Sequence, residues 1–363
     1  MSTLLVTGGT GFIGSHTCIS LLESGYKIIV LDSGINSNKN VISRIYKIGE
    51  RENQNFHENL FYVEGDLRDT NLLNKIFKKA ENNNLKISAV IHLAGLKAVE
   101  ESINNPIDYW SGNVSSSINL LSAMQKNNCH TIVFSSSATI YGTNHNELKL
   151  TESSKISPIN PYGDTKVAIE KILKNIFNGH KNSWRIANLR YFNPIGSHNS
   201  GLIGEDPKGI PNNLFPYICQ VALGKLKKLQ IYGNDWPTKD GTCIRDFIHV
   251  MDLADAHTSA LNFLKASDPI YLNLNIGTGN ETSVLELTKI FKRVNKSNFL
   301  YEFTDRREGD ICRVIADNKL AISTLDWLPK RTIEDMCIDG WKWQNHNLKF
   351  SDITKEHPIN YFF

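Results

Sequence analysis

Short runs of apolar and β-branched residues alternate with longer amphipathic stretches through the first half of the chain. The short runs have the length of buried strands, and the longer stretches repeat their apolar residues at the spacing of one helix face. This alternation predicts βαβ units, a parallel sheet and an α/β fold. The predicted strands are residues 4–7, 27–31, 60–64, 89–93, 131–135 and 186–190, and the predicted helices are residues 12–24, 72–79, 114–126 and 167–177.

The pattern changes after residue 190, where prolines and glycines crowd a stretch that cannot hold a long helix or a central strand. Helical patterns at 253–264 and 284–294 and a strand at 271–276 are expected to return in part to the first unit. We predict a doubly wound, Rossmann-like parallel sheet over residues 1–190, a smaller loop-rich domain mainly over 191–343, and a tail over 344–363. The polar residues 49–59 are predicted to form a solvated surface loop.

The composition is that of an ordinary globular protein with two structural units. The chain has 363 residues, of which 40% are apolar and 21% charged, which excludes collagen-like, coiled-coil and low-complexity proteins. The 40 Lys and Arg residues against 37 Asp and Glu residues leave a net charge of +3. Because both signs are interspersed, we predict no nucleic-acid surface.

The sequence also indicates the compartment. It has neither a signal-peptide core at its start nor an apolar run of about 18 residues that could span a membrane. The six cysteines are scattered, without a C-x-x-C pair or a histidine at zinc-ligand spacing. We predict a cytoplasmic protein with reduced thiols, no membrane association and no metal site.

A glycine-rich turn, GGTGFIG at residues 8–14, follows the first predicted strand and opens the first predicted helix. Such glycines allow close backbone approach, and the helix N-terminus presents free N–H groups and a partial positive charge to a pyrophosphate. Asp32 ends the second strand, 18 residues after Gly14, where a carboxylate accepts hydrogen bonds from an adenosine ribose. Its charge repels a 2′-phosphate and no arginine stands beside it, so the pattern predicts NAD rather than NADP.

Tyr162 and Lys166 open a helix after the proline turn at 157–161 and share one face of that helix. The ordinary tyrosine pKa of about 10 is too high for a base at neutral pH, but a nearby ammonium and a positive nicotinamide both favour the phenolate. Ser137 emerges at the carboxyl end of the fifth strand, where its hydroxyl can bond a reacting oxygen. These three side chains are the predicted catalytic group.

Together these features resemble the extended short-chain dehydrogenases, and most closely the UDP-glucose 4-epimerase family. The resemblance covers about residues 3–343 and leaves 345–363 outside it. It implies an NAD-dependent isomerase that interconverts UDP-galactose and UDP-glucose through a 4-keto intermediate. The stretches that carry it are HLAGLKAV at 92–99, RYFNPIG at 190–196, GEDP at 204–207, GIPNNL at 209–214, RDFIHV at 245–250 and RREGD at 306–310.

The resemblance implies a role for each matching position. Tyr162 would be the base, Lys166 its electrostatic partner on the nicotinamide ribose, and Ser137 would bond the sugar O4. The residues that would bind NAD are Gly8, Gly11, Phe12, Ile13, Gly14, Asp32, Asp66, Leu67, Leu93, Ala94, Lys97, Asn113, Tyr162, Lys166 and Phe192, with Tyr191 near the nicotinamide. Those that would bind the UDP-sugar are Ser137, Asn193, Asn213, Leu214, Tyr232, the diphosphate ligands Arg245 and Arg307, the ribose ligand Asp310, and Val314.

The implied reaction moves hydride from C4 of the hexose to bound NAD while the Tyr162 phenolate takes the O4 proton; the keto sugar then turns, and hydride returns to its other face. Three alternatives remain: a nucleotide-sugar 4,6-dehydratase, a UDP-glucuronate decarboxylase and a catalytically silent NAD-sensing protein. The dehydratase needs an acid pair near the serine of the fifth strand, where this sequence has Ser137, Ala138 and Thr139. The intact catalytic group argues against a silent protein.

The resemblance also implies a homodimer through helices near 114–126 and 167–177. One position departs from some family members: Val314 stands where a bulky tyrosine restricts the pocket to plain hexoses. We therefore predict that UDP-N-acetylglucosamine and its galacto epimer are also substrates. The alternative is that Val314 only packs against its neighbours and that Arg313 or another side chain closes the space.

Overall fold

Seven parallel strands form the central sheet in this computed structural model, which describes residues 1–143, 147–206, 211, 213–307, 309–347 and 357–363. The strands in chain order are β1 Thr3–Thr7, β2 Lys27–Asp32, β3 Leu60–Glu64, β4 Ile87–His92, β5 Thr131–Ser137, β6 Arg185–Tyr191, β7 Asn193–Ile195, β8 Leu229–Tyr232, β9 Ile244–Arg245, β10 Phe247–His249, β11 Ile270–Ile276, β12 Thr282–Ser283, β13 Tyr301–Thr304 and β14 Arg313–Val314. All six predicted strands of the first half are confirmed, with ends that differ by at most two residues.

Helices connect these strands and cover both faces of the sheet. They are α1 Phe12–Glu23, α2 Val41–Arg51, α3 Thr70–Asn82, α4 Val99–Asn104, α5 Pro106–Tyr109, α6 Ser116–Lys126, α7 Pro161–Gly179, α8 Leu214–Ala222, α9 Val250–Ala266, α10 Val284–Val294, α11 Lys319–Leu325 and α12 Ile333–Asn347, with a π-helical turn at Trp110–Ser115 and a 3₁₀ turn at Ala138–Tyr141. All the predicted helices are present.

The strand order β11-β6-β5-β4-β1-β2-β3 defines a doubly wound sheet. The chain runs outward from β1 to β3, crosses back to β4 and continues in the other direction. The carboxyl ends of β1 and β4 therefore lie at the switch point, where ligands of such sheets bind. β11 pairs in register with β6, and α9 packs with α1 in the core of one face, so a stretch well beyond residue 190 belongs to the sheet unit.

The second unit is built from α8, α10 and α12 around a separate core that includes Phe215, Phe291 and Met336. Three small sheets pair β7 with β10, β8 with β13, and β9 with both β12 and β14. Across the described ranges, we find no helix that is long and apolar enough to cross a membrane.

The prediction of a solvated loop at residues 49–59 is wrong in two respects. Helix α2, which the sequence analysis did not identify, extends to Arg51, and Phe56 is buried. A Cβ on Gly49 would lie 2.6 Å from the Phe56 ring, so the glycine leaves space for the aromatic side chain. One buried ring therefore anchors an otherwise exposed, polar connection.

Candidate functional site

A cleft of about 1740 Å³ runs along the carboxyl ends of the central strands and continues into the second unit. Its wall contains every predicted site residue except Asn113. The Asn113 side chain is buried behind the wall, where its amide bonds both backbone groups of Leu96 and the Thr165 hydroxyl. Of the stretches that carried the resemblance, positions 207, 209, 210, 212 and 308 lie outside the described residues.

The glycine turn brings α1 close to β1 and β4. Gly8 has a φ of +71°, and a Cβ there would lie 2.6 Å from the backbone nitrogen of Ala94. A Cβ on Gly14 would lie 2.1 Å from the carbonyl oxygen of Gly8. Both positions thus require glycine, and the first N–H groups of α1 face a cradle shaped for a pyrophosphate.

Asp32 lies at the end of β2 on the cleft wall and is 8% exposed. Its carboxylate accepts hydrogen bonds from the Thr10 N–H at 3.0 Å, the Gly34 N–H at 2.9 Å and the Ser37 hydroxyl at 2.9 Å. These donors fix the carboxylate at the sheet edge while leaving lone pairs for a ligand. The arrangement fits the ribose of a dinucleotide.

Asp66 and Leu67 follow β3 on the same wall, and Leu93 and Ala94 follow β4. The Arg68 guanidinium bonds both oxygens of Asp66 and lowers the pKa of that carboxyl. Leu67 is buried among the residues between β3 and α3. An apolar wall with a carboxylate at its rim is suited to a heterocyclic base.

The catalytic group lies where β5 and α7 meet. The Lys166 ammonium, which is buried, donates to the Ser135 carbonyl at 2.7 Å and lies 5.7 Å from the centroid of the Tyr162 ring. Burial lowers the pKa of Lys166 to about 8, although the Glu170 charge opposes this shift. A lowered lysine pKa at a cleft wall is typical of functional sites.

Tyr162 differs from the electrostatic prediction in one respect. Its pKa is raised, because burial disfavours the phenolate more than the hydrogen bond with Ser137 favours it. Ser137 also accepts from the Thr139 hydroxyl at 2.9 Å, which orients the serine toward the tyrosine. The protein alone therefore keeps Tyr162 protonated, and a further positive charge is needed to make the tyrosine a base.

The second unit contributes a cationic cluster. The Arg307 guanidinium donates to Asp310 at 2.9 Å and lies 5.4 Å from the centroid of the Tyr232 ring. The Arg245 guanidinium donates to the Ile311 carbonyl at 2.7 Å and has a nitrogen 4.0 Å from Asp310. Two arginines with one carboxylate leave a net positive charge, and their planar forks match phosphate oxygens.

Val314 pairs with Arg245 of the cationic cluster between β14 and β9, lines the cleft and packs against the apolar cluster that includes Phe192. Among the described residues, Val314 lines the cleft and Arg313 does not, because the Arg313 guanidinium pairs with Glu281. Asn193 follows β6 at the same edge, while Asn213 and Leu214 begin α8.

One residue of the site had no predicted role. The Glu205 carboxylate accepts hydrogen bonds from the Lys97 ammonium and from the Asn213 amide, each at 3.0 Å. It therefore links a residue predicted to bind NAD to a residue predicted to bind the sugar nucleotide. Its only signal in the sequence is the GEDP stretch at 204–207. Lys97 lies 108 residues before Glu205 along the chain, whereas Asn213 lies only 8 residues after it.

The comparison with known families defines the class of protein. The sequence model of the family described as "GDP-mannose 4,6 dehydratase" matches residues 5–339. The chain therefore belongs to that family, in agreement with its doubly wound sheet and glycine turn.

Individual relatives place the chain among the UDP-glucose 4-epimerases. A protein of Bacillus subtilis named UDP-glucose 4-epimerase is 47% identical over 95% of this chain and 97% of its own length. The crystal structure of UDP-glucose-4-epimerase from Stenotrophomonas maltophila, with bound NAD and formylated UDP-arabinopyranose, is 41% identical, has a TM-score of 0.90 and covers 96% of this chain and 99% of its own. That of UDP-glucose 4-epimerase from Bifidobacterium longum, with NAD⁺ and UDP, is 43% identical with a TM-score of 0.87, covering 96% and 99%.

Proposed function

We propose that this protein catalyses the interconversion of UDP-galactose and UDP-glucose as an NAD-dependent UDP-glucose 4-epimerase. One observation carries the proposal: Ser137, Tyr162 and Lys166 lie in a single cleft between a dinucleotide site and a cationic cluster. A nucleotide sugar that reaches from the cluster toward β5 brings its hexose to the catalytic group.

The glycine turn, Asp32 and the walls after β3 and β4 would hold NAD. The turn would receive the pyrophosphate, Asp32 the adenosine ribose, and the pocket at Asp66 and Leu67 the adenine. Lys166 would bond the nicotinamide ribose, because its ammonium lies at the wall beside Tyr162. When bound, NAD supplies a hydride acceptor for C4 and a positive charge that favours the Tyr162 phenolate.

The side chains of this protein would transfer one proton and hold the sugar in position. The Tyr162 oxygen takes the O4 proton, and Ser137 bonds O4 and keeps it beside the tyrosine. Lys166, held by the Ser135 carbonyl at 2.7 Å, stabilises the phenolate electrostatically. The same tyrosine returns the proton to O4, and because the hydride that NAD would accept from C4 is given back to C4, the reaction has no net redox change.

Arg245, Arg307 and Asp310 would anchor the diphosphate and the uridine ribose throughout the cycle. Inversion at C4 requires the keto sugar to present its other face while the nucleotide stays bound. A tight anchor at one end of the cleft with few fixed contacts at the other allows this rotation.

The relatives and the site favour epimerisation over the alternatives. A 4,6-dehydratase needs an acid pair beside the serine of β5, whereas Ala138 and Thr139 follow Ser137, and the Thr139 hydroxyl is engaged by Ser137. The relatives named UDP-glucose 4-epimerase extend over nearly the whole chain.

The direct test is to incubate the purified protein with UDP-galactose and to separate the products. We expect a mixture of UDP-galactose and UDP-glucose without net formation of reduced cofactor. Elimination of water from the hexose, or loss of CO₂ from UDP-glucuronate in a parallel incubation, would instead identify one of the rival enzymes, and no turnover with NAD still bound would indicate the silent protein.

The cofactor is expected to be NAD rather than NADP, by at least about tenfold in affinity. Asp32 repels a 2′-phosphate, and Arg44, an arginine on the cleft wall, has its guanidinium 4.9 Å from the centroid of the Trp343 ring in the second unit. The measurement is the identity of the cofactor released by denaturing the purified protein, together with Kd values for both. Mostly NADP in the released fraction would overturn this role of Asp32.

The pocket wall at Val314 is expected to admit N-acetylated sugars. We predict that the wild type uses UDP-N-acetylglucosamine as well as UDP-glucose, and that Val314→Tyr lowers kcat/KM for the N-acetyl sugar by about 10- to 100-fold while retaining the plain hexose. Val314→Ala is the matched control and should keep both activities. A wild type that rejects the N-acetyl sugar, or a tyrosine variant that accepts it equally well, contradicts the pocket-wall argument.

We further propose a cytoplasmic homodimer formed through the α6 and α7 face. Exposed apolar side chains on α4, α5, the π-helical turn and α6 support this interface; they are Ile103, Ile107, Trp110 and Ile118. Sedimentation should give twice the chain mass of 40.9 kDa, and a monomer at micromolar concentration would refute the assembly.

A further inference from the structure

Residues 357–363 lie along the outer edge of the central sheet beside β3, beyond residue 339, where the match to the family ends. The Tyr62 N–H donates to the Asn360 carbonyl at 2.9 Å, and the Phe362 N–H donates to the Tyr62 carbonyl at 2.9 Å, as in a parallel strand pair. The Tyr46 hydroxyl bonds the Leu60 carbonyl at 2.9 Å on the same edge. The segment thus covers backbone groups that an open edge strand leaves unpaired.

Side chains fasten the segment to both faces of the sheet. Phe362 is buried and stacks edge-to-face with Phe61 at 5.9 Å between centroids, while Ile359 packs against the core of the opposite face. The Phe363 ring lies 4.9 Å from the Lys79 ammonium. Apolar packing on two faces gives a docked strand a fixed register.

Tyr361 connects this segment to the cofactor side of the cleft. Its ring packs on that of Tyr62 at 5.8 Å between centroids, and the Lys39 ammonium lies 6.0 Å from the centroid of the Tyr361 ring. Glu64 and the Tyr361 hydroxyl together raise the pKa of Lys39. The Lys39 to Glu64 distance is 2.9 Å. Lys39 is thereby held between the end of β3 and residues 357–363.

Lys39 belongs to the loop 33–40, which lines the cleft directly after Asp32. The Ser37 hydroxyl of this loop donates a hydrogen bond to Asp32 at 2.9 Å and accepts one from the Thr10 hydroxyl at 2.7 Å. A continuous set of contacts therefore leads from Tyr361 through Lys39 and its loop to the carboxylate that would bind the adenosine ribose.

We propose that Tyr361 and Lys39 are positioning residues for the nucleotide cofactor, and that residues 357–363 strap loop 33–40 onto the sheet and slow the release of NAD. The inference rests on the proposed function, because it takes NAD as the ligand of this wall. It adds a determinant of cofactor retention outside the part of the chain that matches the family.

The experiment measures NAD release from the full-length, NAD-loaded enzyme after dilution into buffer with a trap for free NAD. We compare Tyr361→Phe, which removes only the hydroxyl, with Lys39→Met, the double variant and the control Tyr301→Phe, a matched change on β13 away from the cleft. Weakening the contact between Tyr361 and the Lys39 ammonium should make release about three- to tenfold faster in either single variant. The double variant should be no faster than the faster single variant, since both remove the same contact, and the control should match the wild type.

Two further readouts separate positioning from general stability. Saturating NAD should restore wild-type kcat in Tyr361→Phe, with KM for UDP-galactose unchanged, and Tm should stay near that of the wild type. Phe362→Ala, which removes core packing, should lower Tm. Its rate of NAD release shows how much faster release becomes through loss of stability alone.

Wild-type release rates in both Tyr361→Phe and Lys39→Met would overturn the inference while leaving the proposed function intact. Faster release that only follows the loss of Tm, as calibrated by Phe362→Ala, would overturn it as well. A wild type that binds no NAD would instead refute the proposed function, and the inference with it.

Discussion

Replacing Tyr162 by phenylalanine is expected to lower kcat for the epimerisation of UDP-galactose by about 100- to 10,000-fold. The substitution removes the oxygen that exchanges the O4 proton but keeps the aromatic ring 5.7 Å from the Lys166 ammonium. Packing in the cleft and the anchor at Arg245 and Arg307 are left in place. The loss should therefore appear in kcat, with little change in KM.

Steady-state rates with UDP-galactose, together with the NAD content of each preparation, test this expectation. Tyr301→Phe is a matched control, because Tyr301 lies on β13 in the second unit and does not line the cleft. Equal NAD content in both variants shows that the cofactor site is intact. Near-normal turnover in Tyr162→Phe would mean that another group takes the proton.

A second readout is the pH profile. Burial raises the pKa of Tyr162, and burial lowers that of Lys166 to about 8. Activity should therefore depend on a charge that stabilises the phenolate, and Lys166→Met should shift the rise in activity to higher pH. An unchanged profile in that variant would exclude electrostatic support from the lysine.

Much of the fold could be predicted from local patterns. The strands of the sheet are buried on both faces, so they appear as uninterrupted apolar runs with identifiable ends. The glycine turn and Tyr162 with Lys166 are recognisable because their chemistry depends on short spacings. Helix α2 was missed because its polar second half resembles a loop. The buried Phe56, which packs on the end of this helix at Gly49, follows the helix in the sequence and gives no periodic signal.

The parts of the site that were not predicted depend on contacts between distant residues. Glu205 acquires its position from Lys97, which lies 108 residues earlier. Asn113 was predicted to bind NAD, but its burial behind the cleft wall, through bonds to Leu96 and Thr165, was not predicted. Periodicity carries no information on such pairs. The same limit applies to residues 357–363, whose partner strand lies about 300 positions earlier in the chain.

The fold is expected to lose much of its stability between pH 7 and pH 5 through four buried histidines. Burial lowers the pKa of His16 and His92 to about 3 and that of His198 and His257 to about 4. His92 bonds the Thr7 and Ser117 hydroxyls at 2.8 Å each, and His16 accepts the His198 N–H at 3.0 Å. Neutral rings fit these sites, whereas a second proton on His16 would remove its acceptor.

The sign follows from proton binding. In the unfolded chain these histidines titrate near their ordinary pKa of about 6.5, so below that pH the unfolded state binds more protons than the folded state. The stabilisation is complete above pH 6.5 and is lost as the pH falls toward the folded values. Glu23 acts in the opposite direction, because burial and the charges of Glu52 and Asp255 raise its pKa to about 7.

Each histidine should lower the unfolding free energy at pH 5 by about 2 kcal/mol relative to neutral pH, because pH 5 lies about 1.5 units below the ordinary histidine pKa and each unit is worth about 1.4 kcal/mol. Four such groups outweigh Glu23 and amount to a large part of the roughly 5–15 kcal/mol that stabilises a typical domain. Urea unfolding at pH 7.5, 6.5, 5.5 and 5.0 measures the change of unfolding free energy with pH, which should correspond to about three protons taken up on unfolding between pH 6 and pH 5, four by the histidines less one for Glu23. His92→Gln should remove about one proton from it, while His180→Gln, at an exposed position, should not. An unfolding free energy that stays constant from pH 7 to pH 5 would contradict this prediction, because it would mean that the four histidines bind protons equally well in the folded and unfolded states.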